Sequence, residues 1–97
     1  MERITEKMLQ RQVDYLNQIT NNPATPYGEV GQGANIGNYH ISHAYGGVCL
    51  HQMSNKGGGV RCPLSQGHIP KRDLYNELAA YIKGIEVCTK YPDQAHG

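Results

Sequence analysis

The stretch Tyr39-His40-Ile41-Ser42-His43-Ala44-Tyr45-Gly46-Gly47-Val48-Cys49-Leu50-His51-Gln52-Met53 decides the fold. In extended backbone, Tyr39, Ile41, His43 and Tyr45 share one face, and His40, Ser42 and Ala44 share the other. Gly46-Gly47 is a two-residue hairpin signal, because such a turn needs positive φ and glycine adopts it without a Cβ clash. Val48 to Met53 then runs on without a strong polar break. Its faces are Val48, Leu50 and Gln52 on one side and Cys49, His51 and Met53 on the other. Two antiparallel strands over residues 39–53 follow from this pattern.

Downstream, Asn55-Lys56-Gly57-Gly58-Gly59 permits a second reversal. Val60, Cys62 and Leu64 read as a third strand, which Pro63 confines to an edge because it has no amide to donate. A short sheet is marginal in water without cover, and both ends of the chain supply it. Ile4, Met8, Val13, Leu16 and Ile19 recur near a 3.6-residue period, with Thr5 as a weak cap and Asn21-Asn22-Pro23 as a stop. Pro70 suits the first position of a second helix and Asp73 its first turn. Leu74, Leu78, Ile82 and Ile85 form the stripe of that helix, Gly84 is its weak point, and Tyr91-Pro92-Asp93 ends it. The expected class is α+β: an N-terminal helix, a short three-stranded antiparallel sheet and a C-terminal helix. One domain covers residues 1–91, followed by a flexible tail over 92–97. The loop 21–37 is long for so small a domain, so it is either functional or packed across the sheet.

Composition narrows the function classes. The chain has 97 residues, with 9 Lys and Arg against 8 Asp and Glu. That balance is too even for holding duplex DNA by phosphate neutralisation. No apolar run approaches the ~20 residues of a membrane span, and no basic-then-apolar leader opens the chain. Three cysteines cannot all pair within it. A cytoplasmic, reduced protein without a cofactor is expected. A domain this small buries only roughly 60–65% of its unfolded surface. With seven Tyr and no Phe or Trp to fill the core, a homodimer is the expected way to cover the remainder. Residues 21–69 hold ten of the twelve glycines, with only Glu29, Lys56 and Arg61 as charges, between two flanks of mixed sign.

Two sets of residues point to chemistry. Tyr39, His43 and Tyr45 could stack on a base or a peptide, with Arg61, Lys71 and Arg72 supplying phosphate contacts beside the amides after Pro70. His68, just before that helix start, belongs with them, and Gly57, Gly58 and Gly59 offer close approach to a ligand backbone. The competing reading places Tyr39, Ile41 and Tyr45 in the core and makes the triple glycine a hairpin tip, or a seat for the loop 21–37. The second set is Cys49, His51, Cys62 and His68, residue types that ligate zinc when four converge. Their spacing matches no common zinc module, and the plainer reading is small buried thiols with polar histidines. A Cys49 nucleophile paired with His40 or His43 lacks any marked oxyanion site. Gly31-Gln32-Gly33 lacks the Lys-Ser or Lys-Thr of a phosphate loop. The pattern favours binding over catalysis.

Several segments carry a resemblance: Gly37-Asn38-Tyr39-His40-Ile41-Ser42, Ala44-Tyr45-Gly46-Gly47, Asn55 with Gly57-Gly58-Gly59-Val60, and Gly67-His68-Ile69-Pro70-Lys71-Arg72-Asp73-Leu74-Tyr75. Over about residues 1–85 the chain resembles an uncharacterised family of small proteins encoded in phage and prophage genomes. The resemblance implies an accessory protein that binds a host protein, such as an anti-phage defence factor, and inhibits it. The expected alternatives are a protein that binds or sequesters a nucleotide or single-stranded nucleic acid, and a small zinc-binding protein.

Overall fold

In the computed structural model the elements are α1 (Glu6–Ile19), β1 (Tyr39–Ala44), β2 (Gly47–Met53), β3 (Val60–Arg61) and α2 (Lys71–Lys90). The structure describes residues 3–28, 32–64 and 67–90; the expected tail over 92–97 lies outside the described residues. The sheet is antiparallel in the order β1-β2-β3, which is the expected α+β arrangement. No described helix is long and apolar enough to cross a membrane.

Thr5 caps α1: its backbone is extended and its side-chain oxygen accepts the Met8 N–H at 3.2 Å. At the other end the Thr20 hydroxyl donates back to the Leu16 carbonyl at 2.7 Å, and Asn21 turns left-handed with φ 57°. Pro70 stands one residue before α2, where its carbonyl accepts the Leu74 N–H at 3.1 Å. It therefore caps the helix instead of opening it.

Two sequence expectations shift in the sheet. The hairpin turn is Tyr45-Gly46, one residue earlier than expected, because Ala44 pairs with Gly47. Both central residues have positive φ, 54° and 75°, which defines the type I′ turn that matches strand twist. Gly47 is instead the first residue of β2, and its hydrogen side chain serves packing: a Cβ there would lie 2.9 Å from the Ile69 carbonyl oxygen. The third strand is only Val60–Arg61, so Cys62 and Leu64 lie beyond it. Pro63 ends the ladder because it brings no amide. The chain then returns to β2 at one point, where Val48 and Ile69 exchange two backbone hydrogen bonds of 2.8 Å.

One face of the sheet meets both helices. Tyr39, Val48 and Leu50 from the strands pack with Leu9, Val13 and Leu16 of α1 and Leu74, Leu78 and Ile82 of α2. Asn17 of α1 is buried in this layer and acts as a surrogate strand. Its side-chain oxygen accepts the Tyr39 N–H at 2.8 Å and its amide donates to the Tyr39 carbonyl at 3.0 Å. The outer edge of β1 is satisfied at that point by a helix residue. Between the helices, Tyr15 donates a hydrogen bond to Glu86.

The described residues of the loop 21–37 pack against the turn that follows β2. Ala34 donates to the Lys56 carbonyl at 3.0 Å, Gly37 to that of Met53 at 2.9 Å, and Tyr27 bridges to Ala34. The Tyr27 hydroxyl would sit 3.1 Å from a Cβ placed on Gly58. Gly58 is therefore a seat for this loop, whereas Gly57 and Gly59 lie against the Asn55 side chain of their own turn.

Candidate metal centre

The other face of the sheet carries a different chemistry. Alternation places His40, Ser42 and Ala44 of β1 and Cys49, His51 and Met53 of β2 on the side away from the helices. Pairing Gln52 with Arg61 sets the next residue, Cys62, beside His51 on that same side. One ligand atom from each of Cys49, His51 and Cys62 lies within 4.8 Å of the other two. The two sulfurs are 3.8 Å apart.

A ring of polar and aromatic groups surrounds these three. His40 pairs with His51 across the strands, their ring centroids 5.7 Å apart and nearly perpendicular. His68 approaches from the far side: its ring centroid is 6.1 Å from that of His51 and 6.0 Å from that of Tyr45. Its Nε2 is hydrogen-bonded to the Ser42 hydroxyl at 3.1 Å, and Ser42 is the direct cross-strand partner of Cys49. His68 is held there by its neighbour, since the backbone of Ile69 is tied to Val48 and crosses tightly over Gly47.

Electrostatics prepare the donors in opposite ways. Burial, then the positive charge His68 carries when protonated, hold the His51 imidazole below its usual pKa, which favours the neutral ring with a lone pair. Burial, then His51, lower His40 likewise. The Asn38 amide, which donates to the Pro23 carbonyl at 2.8 Å, turns its oxygen towards His40 Nδ1 at 3.1 Å, so that nitrogen carries the proton. The Cys49 thiol is pushed up to about 11, first by burial and then by the Cys62 thiol. A cation binding here must therefore expel its proton.

The residues of the expected stacking face are dispersed. Tyr39 is buried in the core, its hydroxyl 3.0 Å from that of Tyr81. His43 is exposed, with Nε2 3.1 Å from Glu6 Oε1. Tyr45 stands at the turn tip, 99% exposed, and touches the edge of His68. Arg61 donates from Nε to the Gln52 side chain at 2.7 Å. Lys71 and Arg72 are exposed at the start of α2. Gly57, Gly58 and Gly59 lie in the turn over which Tyr27 and Asn55 pack. An open cleft of about 610 Å³ gathers His43 and Lys71 with Arg3 and Pro70, and with none of the described tyrosines. Of the four residues in the metal set, three converge and His68 stands next to them. Sequence reasoning missed Ser42 and Gly47 as the elements that place His68. The register Ala44↔Gly47 needed for that was obscured by two consecutive glycines at the turn.

Comparison of the chain with family models, curated proteins and solved structures finds no match.

Proposed function

We propose that this chain is a small zinc-binding protein whose metal ties the segment after β3 to the central strand. The observation that carries the reading is the convergence of Cys49, His51 and Cys62 within 4.8 Å on the sheet face away from the helices. Two thiolates bound tetrahedrally at ~2.3 Å from one zinc ion stand about 3.8 Å apart, and the sulfurs of Cys49 and Cys62 are 3.8 Å apart. Two sulfurs with imidazole nitrogen favour zinc over the hard cations, which select oxygen. Two thiolates also neutralise the 2+ charge, so the loaded face carries no net charge from the ion. Cys62 is exposed, which gives the ion a route in from solvent. Burial of Cys49 supports a site that holds its ion instead of turning over a substrate.

The test is zinc titration of the reduced, chelator-treated chain against a chromophoric competitor. One equivalent binds, and two protons are released per ion near neutral pH. Replacing Cys49 and Cys62 together by Ser removes that binding. Uptake by the native chain no greater than by the double variant would refute the reading.

A further inference from the structure

Three protein donors leave one corner of a tetrahedron to fill, and two histidines flank His51. They differ in how they are held. His40 is fixed on β1 by its Nδ1 bond to Asn38, which is itself buried and bonded on both sides of its amide. His68 belongs to the short segment that crosses Gly47, and among the described residues its ring makes one side-chain hydrogen bond, between Nε2 and the Ser42 hydroxyl. Beside it, Gly67 is exposed, with nothing within 4 Å of where a Cβ would stand. The partner that holds Nε2 is the residue paired with Cys49, so the ring is parked one cross-strand neighbour from the metal-facing sulfur.

Resting on the zinc reading above, we infer that His68 is the fourth ligand, exchanging the Ser42 hydroxyl for the ion through rotation of its own side chain. The site then closes as two thiolates and two imidazoles, with no position left for water. A site of this kind is structural, because a catalytic zinc keeps one position open. Charge and protons balance: the ion enters as 2+, Cys49 and Cys62 each lose one proton to solvent, and His51 and His68 bind as neutral rings. The consequence for the fold is specific. The ion would join Cys62, just after β3, and His68, just before α2, to Cys49 and His51 of β2. Ser42 then acts as the resting place of His68 in the metal-free chain.

Cobalt(II) as an optical stand-in for zinc tests this on the whole reduced chain. Binding produces a near-ultraviolet thiolate-to-cobalt band and visible d–d bands, whose intensity is high for four protein donors in a tetrahedron and falls when water enters. With the native chain both sets of bands are strong. His68→Ala keeps the thiolate band, loses most of the d–d intensity and weakens zinc binding by more than ~100-fold, beyond the ~10–100-fold of residues that only support a ligand. His68→Cys restores the d–d intensity and strengthens the thiolate band, an outcome that a purely structural role would not give. His40→Ala leaves the spectrum unchanged. If His68→Ala keeps full d–d intensity and native affinity, the fourth-ligand inference fails while the zinc site stands. If the native chain shows no thiolate band, the zinc reading itself has failed.

Discussion

The two faces of one small sheet follow different rules. On the helix side, Tyr39, Val48 and Leu50 are at most 5% exposed and packed among Leu9, Val13 and Leu16 of α1 and Leu74, Leu78 and Ile82 of α2. On the opposite side, the residues one step along the same strands are His40, Ser42, Cys49 and His51, met by Cys62 and His68 from the segment beyond. The first face is held by apolar area removed from water, a term that depends little on the direction of contacts. The second has few apolar side chains to bury, so directional bonds must hold it. The difference teaches that a single alternation can encode a core and a ligand set at once, provided that the register is fixed.

The largest effect expected from breaking this contrast is in the core. Leu50→Ala costs about 2–5 kcal/mol whether zinc is present or chelated. Cys62→Ser, on the other face, changes the stability of the chelated chain by less than about 0.5 kcal/mol, yet removes the stabilisation that zinc gives the native chain, about 2.7 kcal/mol at a hundredfold excess over Kd. Urea unfolding with and without chelator measures both, and equal losses for the two variants in chelator would erase the distinction between the faces. Asn17→Ala comes next, at on the order of 2–3 kcal/mol, because it leaves the buried N–H and C=O of Tyr39 without their partners. A loss of only a few tenths in the same urea experiment would show that water replaces the amide.

How much of this was legible in the sequence depends on the range of the forces involved. Leucine and isoleucine spacing announced both helices, and alternation announced both long strands, because those periods are local properties of the backbone. Thr5 and the stop at Asn21-Asn22-Pro23 were readable for the same reason. Asn17 carried no sign, since its partner is the backbone of Tyr39, twenty-two positions away. Cys49 and His51 were readable as neighbours on one face. That Cys62 reaches them depends on the register Gln52↔Arg61. That His68 joins them depends on the crossing of Ile69 over Gly47. Tyr45 misled the sequence reading because a tyrosine at positive φ is rare, and the strand pattern ran straight through it.

Two smaller effects sharpen the comparison. The Tyr39 phenol is raised above its ordinary value of 10.0, first by burial and then by the hydrogen bond with Tyr81. The folded state therefore favours the neutral phenol. Its contribution is complete below pH 10 and declines as the pH rises beyond it, since the unfolded chain gives up the proton first. Thermal unfolding of the chelated chain across that range shows this decline, and Tyr39→Phe flattens it; an unchanged slope in the variant would assign the decline elsewhere. Tyr45→Asn has the smallest effect, a gain of roughly 0.5–1 kcal/mol, because asparagine tolerates the left-handed turn position better than an aromatic residue. A loss of stability in that variant would mean that the edge contact with His68 outweighs the backbone preference.

By itself the sequence determined the kind of elements, their order and the two-sided character of the strands, because the apolar period of 3.6 or 2 is set by neighbouring residues. Only the tertiary structure decided which side of the sheet the helices would cover. It also decided that sulfur and imidazole from three separate positions would meet on the other side, because a meeting across strands depends on register and on where the chain crosses back, and no local period carries either.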